Sequence, residues 1–204
     1  MDKYVNLKSI WLECNGITKI EGLSHLTQLR MLYLHQNALE KIEGLEECVN
    51  LITLNLSHNR LKKIEGLSML PHLKNLDVSH NVIADIADID EVKTYPSLTS
   101  LDLSHNYIDN TEEIVPFFSQ FQILICLYLK GNPCVRKVSM YRKRLTANMK
   151  SLHYLDDRPV AEIERIAADA WLAGGNEAEK EARRIYQEEK DAKMRSYTKR
   201  GVEL

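Results

Sequence analysis

The sequence predicts an α/β repeat solenoid of six repeats, with a parallel concave β-sheet, a short helical convex side, and a C-terminal cap followed by helices. A pattern of the form LxxLxLxxNxI begins six times, the steps between copies are 22 to 26 residues, and an asparagine falls eight places after each opening leucine. The opening residues are Leu7, Leu29, Leu51, Leu73, Leu98 and Leu124. Such steps are typical of leucine-rich repeats, whose neighbours stack into one continuous core.

Composition narrows the classes of function. The net charge of −2 lacks the basic field of a nucleic-acid-binding protein. No apolar stretch approaches the ~18 residues of a membrane span, and no secretory signal begins the chain. The four cysteines show no zinc-type spacing, so no metal or cofactor is expected. No nucleophile with a spaced base and no phosphate-binding glycine loop is evident. We therefore expect a cytoplasmic protein that is not an enzyme and binds neither nucleic acid nor membrane.

The repeated asparagines lie where each strand must turn. Because a carboxamide both donates and accepts, a stacked column of them satisfies the backbone of its own coil and of its neighbour. They are Asn15, Asn37, Asn59, Asn81, Asn106 and Asn132. Three coils then share Ile-Glu-Gly-Leu, at 20–23, 42–45 and 64–67, where glycine permits a tight bend into a short helical turn.

The strand leucines point inward, so alternate residues project from the concave face in two columns. The first column is Ser9, Met31, Thr53, Asn75, Ser100 and Cys126. The second, which we predict to bind a protein partner, is Trp11, Tyr33, Asn55, Asp77, Asp102 and Tyr128. Adjacent aromatics are typical of binding hot spots, and two aspartates suit a basic contact. The alternative is that these side chains merely tolerate solvent.

Two further clusters have a structural interpretation as well as a functional one. His58, His80 and His105 form a third column, but parallel side chains one strand apart do not converge as metal ligands do. A basic cluster is a secondary candidate for contact with an acidic partner, although a solvated cap face is the favoured explanation. Its members are Arg136, Lys137, Arg142, Lys143 and Arg144.

Beyond Asn132 the repeat stops. We expect residues 1–159 to form the repeat domain, with a cap at about 133–159, and residues 160–204 to form a helical extension. A first helix presents Ile163, Ala167 and Trp171 on one face, Gly174-Gly175 ends it, and a charged second helix runs to about Arg195. Tyr4-Val5-Asn6 looks like the tail of a preceding repeat, so we expect a longer parent protein. The chain is expected to be monomeric.

Some motifs point to a particular family. They are Trp11-Leu12-Glu13-Cys14-Asn15-Gly16-Ile17, the cap ending Tyr154-Leu155-Asp156-Asp157-Arg158-Pro159-Val160, and Ala170-Trp171-Leu172-Ala173-Gly174-Gly175 with Ala178-Glu179-Lys180-Glu181. From about Tyr4 to Arg184 the chain resembles the dynein axonemal assembly factor 1 family. The resemblance implies a scaffold that helps preassemble dynein arms of motile cilia or flagella in the cytoplasm, with dynein chains or assembly chaperones as partners.

Two other functions stay open. The 22-residue repeat also resembles that of a regulatory subunit of a protein phosphatase. A splicing protein carries a similar repeat and cap, which leaves a ribonucleoprotein assembly component as the third alternative. A concave face without a basic column offers little phosphate affinity, so RNA contact is the least supported of the three.

Overall fold

The computed structural model describes the backbone of residues 4–202 and the side chains of residues 4–196. It contains one eight-stranded sheet whose strands follow chain order, parallel from the first to the seventh, with the eighth antiparallel. The six repeats supply β1 (Ser9–Trp11), β2 (Met31–Tyr33), β3 (Thr53–Asn55), β4 (Asn75–Asp77), β5 (Ser100–Asp102) and β6 (Cys126–Tyr128). The predicted solenoid is therefore confirmed. Residues 1–3 and 203–204 of the expected domains lie outside the described residues.

The core is a stack of aliphatic layers. Each of the six repeat strands buries its central residue, which is Leu32 in β2. Leu34, which follows β2, is buried in the same interior. The second apolar set fills the same interior, because Leu39, Ile42 and Leu45 are also buried. One repeat has no partner for its own apolar face, so stability comes from the stacking of neighbours.

The asparagine column is a hydrogen-bonded ladder, as predicted. Nδ2 of Asn81 donates to the carbonyls of Leu56 in the preceding coil (3.0 Å) and Val78 in its own coil (2.9 Å). Its Oδ1 accepts from the backbone N–H of Leu61 at 2.9 Å. Asn37, Asn59, Asn106 and Asn132 repeat this scheme. Each carboxamide thus joins two successive coils.

The convex side differs from coil to coil. In the first coil it is a series of tight turns, in which the Leu26 N–H donates to the Leu23 carbonyl (2.9 Å) and the Leu29 N–H to the Leu26 carbonyl (3.0 Å). Helices appear only in the two longer repeats, as a 3₁₀ helix (Ile86–Thr94) and α1 (Ile114–Phe118). The expected helical turn therefore shortens to hydrogen-bonded turns in the 22-residue repeats, whose convex segments are shorter by three or four residues.

The cap closes the last coil and lengthens the sheet. It contains α2 (Pro133–Lys137), α3 (Tyr141–Asn148), β7 (Tyr154–Leu155) and β8 (Arg158–Pro159). Leu145, Leu152 and Leu155 are buried against the final repeat. The sequence predicted that this segment covers the core, but not that β7 pairs with β6 and so adds another strand to the sheet.

The C-terminal extension is a helical hairpin. Helix α4 (Glu162–Val202) is interrupted by non-helical backbone at Gly174 and Gly175, as predicted. The Tyr186 hydroxyl reaches the Glu162 carboxylate at 3.4 Å, so the second half folds back along the first. It then continues to the end of the described backbone, past the boundary expected near Arg195.

Candidate protein-binding surface

Both predicted columns exist on the concave sheet. Strand pairing places Trp11 beside Tyr33, then Asn55, Asp77, Asp102 and Tyr128 in unbroken register. The first column is equally continuous from Ser9 to Cys126, and Tyr154 of the cap continues it because β7 pairs Tyr154 with Cys126. The geometric prediction is confirmed, whereas the binding role of these residues stays a prediction.

The amino-terminal end of the face is aromatic. The Trp11 and Tyr33 rings stack with centroids 5.6 Å apart and planes 4° from parallel. Trp11 is 59% exposed, while Tyr33 is half-buried, so the two rings together form a flat apolar shelf open to solvent. Large aromatic surface that is already ordered loses little side-chain entropy on binding, which suits it to anchor a partner.

The middle of the face is polar, and hydrogen bonds from nearby serines hold its side chains in place. Oδ1 of Asn55 accepts from the backbone N–H (2.9 Å) and hydroxyl (2.8 Å) of Ser57, and Oδ1 of Asp77 accepts from Ser79 in the same way (3.0 and 2.7 Å). Oδ1 of Asp102 accepts from the Ser104 N–H at 2.8 Å. These bonds orient the three side chains identically, so their remaining polar atoms form a regular row.

A shallow trough of about 210 Å³ lies over these strands. Its lining includes Tyr33 at one end, Tyr128 at the other, and Asp77 and Asp102 between them. Burial raises the pKa of the Asp102 carboxyl above its ordinary value against the hydrogen bonding from Ser104, and the neighbouring charge of Asp77 raises it further. Burial likewise raises the pKa of the Tyr128 hydroxyl. The face therefore holds acidic charge in a partly desolvated setting.

The histidine column is a ring stack beside the asparagine ladder. Centroids are 4.0 Å apart between His58 and His80, and 4.3 Å apart between His80 and His105. All three backbones are left-handed, with φ of 53° or 54°. Burial lowers the pKa of His80, and the charges of His58 and His105 lower it further. In the described part of the chain, no group of three or more His, Cys, Asp or Glu is arranged to hold a metal ion.

Three of the five residues of the predicted basic cluster form ion pairs within the chain, and contact of the cluster with an acidic partner stays a prediction. Lys137 pairs with Asp109 at 2.6 Å, Arg142 with Glu164 at 2.5 Å, and Lys143 with Glu179 at 2.6 Å. Lys143 also lies over the Trp171 ring, 5.5 Å from its centroid. Arg142 and Lys143 therefore join the cap to the extension, whereas Lys137 joins the cap to the fifth repeat. The remaining two are Arg136 and Arg144.

Sequence reasoning missed two contributors to the face. Tyr154, 5.7 Å from the Tyr128 ring, comes from the cap rather than from a repeat. The repeat-like spacing of Leu152 and Leu155 was the signal that a seventh strand follows. The three serines that orient the polar row were also passed over, although Asn55-Leu56-Ser57 and its counterparts place a short acceptor two residues before a hydroxyl. Among the described residues, no helix is long and apolar enough to cross a membrane.

Two family models match the chain. One, described as a leucine-rich repeat, covers residues 48–186, and another, described as leucine-rich repeats in two copies, covers residues 5–47. Together they span nearly all of the solenoid and the helical hairpin as far as residue 186.

The chain is similar to curated proteins with names from dynein assembly. It is 49% identical over 82 residues to the leucine-rich repeat-containing protein ODA7 of Chlamydomonas reinhardtii, covering 40% of this chain and 19% of that protein. It is 42% identical over 82 residues to dynein axonemal assembly factor 1 of Homo sapiens, covering 40% of this chain and 11% of that protein. The predicted resemblance is confirmed, over a shorter stretch than Tyr4 to Arg184. The matched part is less than one fifth of either relative.

Among solved structures, the chain is similar to one from the Drosophila melanogaster SNF/U2A′ complex. The TM-score is 0.56 and the identity 25%, and the match covers 85% of this chain and 87% of that chain.

Proposed function

The chain belongs to the leucine-rich-repeat family, and on that basis we propose that it is a non-catalytic scaffold that binds protein partners during assembly of axonemal dynein arms. The observation that carries this proposal is the 42 to 49% identity to proteins named for dynein-arm assembly. The partners are dynein chains or the chaperones that assemble them. The work takes place in the cytoplasm, before arms are delivered to the cilium or flagellum.

The concave face supports a binding role for this scaffold. Its six strands present a wall about 24 Å wide at the usual strand spacing, which is the length of a helix of about 16 residues. The Trp11–Tyr33 shelf supplies apolar area, and the polar row beyond it supplies direction and charge. Tryptophan and tyrosine are enriched among the residues that contribute most of the binding energy at protein interfaces.

The proposal is tested by rescue of a flagellated cell that lacks its own copy of the protein. A full-length gene carrying Trp11→Ala and Tyr33→Ala removes the aromatic shelf without touching the core. We expect this gene to restore few dynein arms in axonemal cross-sections. We also expect its product to recover little axonemal dynein heavy chain when it is immunoprecipitated from cytoplasmic extract.

A matched control is Tyr107→Ala. Tyr107 is 59% exposed, the same as Trp11, but it follows the asparagine turn and is not on the concave face. The control gene should restore arms fully. Normal arms with the double variant would exclude the concave face, and normal arms in cells without the protein would exclude the function.

A second candidate is a component of ribonucleoprotein assembly. It is favoured by the match to the SNF/U2A′ complex, which extends over most of both chains. In this role the concave face takes a protein, because its acidic row repels phosphate. Immunoprecipitation of the full-length protein separates the candidates: recovery of small nuclear RNA with its proteins supports the second, and recovery of dynein chains supports the first.

A further inference from the structure

We propose that the trough between Tyr33 and Tyr128 receives an arginine side chain of the bound partner, held by Asp77 and Asp102. The inference rests on the proposed function, since it names the chemistry of the partner at the same face. A helix or extended segment would place its apolar residue on the Trp11–Tyr33 shelf and its guanidinium over the paired carboxylates.

The carboxylates of Asp77 and Asp102 are adjacent, and only one oxygen of each accepts a hydrogen bond within the described part of the chain. Asp77 and Asp102 are partners in neighbouring parallel strands, which lie about 4.8 Å apart. Within the part of the chain that the structure describes, every hydrogen bond to either carboxylate ends on Oδ1. The Oδ2 atoms thus form a pair of acceptors at the spacing of adjacent strands. A planar guanidinium with several N–H donors can bond to both at once.

The electrostatics of the pair call for an external cation. The rings of His80 and His105 interact with the two carboxylates: His105 lowers the pKa of Asp102, and Asp77 raises the pKa of His80. Burial lowers the pKa of His80, so this ring is a poor permanent counter-charge for Asp77 at neutral pH. A partner's cation relieves the repulsion between Asp77 and Asp102 and compensates the burial of Asp102.

The size of the trough suits a single side chain, and the residues that line it favour arginine over lysine. A trough of about 210 Å³ is smaller than the roughly 300 to 1,000 Å³ of small-molecule pockets. The phenol ring of Tyr128, on the strand next to Asp102, offers a face on which a guanidinium stacks, and a guanidinium sheds water more readily than an ammonium. Lysine, a strongly hydrated point charge, gains less from such a site.

The test is a nuclear magnetic resonance titration of the ¹⁵N-labelled chain with N-acetyl-arginine methylamide. The matched probe is N-acetyl-citrulline methylamide, which has the same length and shape but no charge. We expect saturable shifts of the backbone amides in β3, β4 and β5 with the arginine probe, and weaker, unsaturated shifts with the citrulline probe.

Asparagine substitutions provide a variant that keeps the fold. The double variant Asp77→Asn, Asp102→Asn retains an Oδ1 acceptor for Ser79 and Ser104, just as Asn55 bonds Ser57 in the wild-type chain. We expect it to weaken arginine binding by at least about tenfold. The reverse change, Asn55→Asp, lengthens the acidic row and should strengthen binding. Asp157→Asn, which removes an exposed carboxylate paired with Lys130, should change nothing.

The inference is overturned if the arginine and citrulline probes bind alike, if neither gives saturable shifts, or if the double variant binds arginine as well as the wild type does. None of these results depends on dynein arms. The rescue experiment with Trp11→Ala and Tyr33→Ala tests the proposed function separately, so a scaffold whose partner lacks the arginine is distinguishable from a chain that is no such scaffold.

Discussion

Gly131 lies directly against the ring of His105. A Cβ atom added to Gly131 would stand 2.6 Å from Nδ1 of His105, and the backbone of Gly131 has a φ of +85°. In the coils before it, the equivalent positions hold His58, His80 and His105 themselves, also left-handed. The histidine stack therefore ends at this glycine because a further side chain would occupy the space of the last ring.

Gly131→Ala is expected to destabilise the fold by about 2 to 4 kcal/mol, as measured by urea denaturation. About 1 to 2 kcal/mol comes from the left-handed backbone, and the rest from displacing the ring. Gly16→Ala is the control, since Gly16 also has positive φ (+64°) but no atom within 4 Å of the added Cβ. It should show the backbone cost alone, and His105→Ala should rescue part of the Gly131→Ala loss.

Asn81→Ala is expected to cost more than about 2 kcal/mol of unfolding free energy. It removes four hydrogen bonds at a position that is 3% exposed, one from the Leu61 N–H and three to the carbonyls of Leu56, Val78 and Ser79. The buried Leu61 N–H is left without its partner, which costs about 1 to 3 kcal/mol, and each of the carbonyls loses one of its bonds.

The equivalent change in the first coil is the control. Asn15 is exposed, and its Nδ2 bonds only the Glu13 carbonyl two residues away among the described residues. Asn15→Ala should stay within about 0.5 kcal/mol of the wild type. Equal losses at both positions would show that the ladder stabilises each turn alone rather than joining coils.

The sequence predicted the contacts that recur in every repeat, but not the contacts between segments that no repeat relates. The ladder and both columns were predictable because a repeat puts the same residue type at each coil, so one spacing fixes the register of Trp11 and Tyr33 with all that follow. The pairings of Arg142 with Glu164 and of Lys143 with Glu179 were not, because they join residues 22 and 36 positions apart with no repeat to relate them. The sequence therefore did not predict that two of the five basic residues, Arg142 and Lys143, pair with the extension.

Acidification is expected to destabilise the chain through the histidine stack. The pKa of His80 is lower in the folded chain, first because of burial and then because of His58 and His105. The unfolded chain, with a pKa near the ordinary value of about 6.5, then binds the proton more tightly. This contribution is constant above that pH, and stability falls as the pH drops below it until the lowered folded value is passed.

His80→Asn isolates that effect, because asparagine tolerates the left-handed backbone that His80 occupies. Urea midpoints at about pH 7.5 and 5.5 should converge in the variant relative to the wild type. His72→Asn, at an exposed position outside the stack, should keep the full wild-type difference. A His80→Asn chain with an unchanged drop would place the acid sensitivity elsewhere.

Arg165→Met is expected to destabilise the cap by about 2 to 4 kcal/mol. The guanidinium of Arg165 donates to the carbonyls of Thr146, Met149 and Leu152, where α3 ends and the chain turns into β7. Methionine fills similar space but satisfies none of these acceptors, and hydrogen bonds from charged donors contribute about 1.5 to 3 kcal/mol each before relaxation. Arg183→Met, which removes a half-exposed pair with Glu179, is the control and should cost less than about 1 kcal/mol.

Truncation tests whether the repeat domain ends at residue 159 or includes the first half of α4. A chain ending at residue 159 loses Glu164 and Arg165 and uncovers the apolar surface that buries Ala167 and Ala168. Arg142, whose side chain is 19% exposed beside Glu164, is then left without its carboxylate, a change that costs about 3 to 5 kcal/mol at buried pairs. A chain ending at residue 175 keeps all of these contacts and loses mainly the pair of Lys143 with Glu179. The longer chain should unfold within about 1 to 2 kcal/mol of the intact chain, and the shorter one should unfold at much lower urea or aggregate. Equal urea midpoints for the chains ending at residues 159 and 175 would show that the repeat domain ends at residue 159 and does not need the hairpin for its stability.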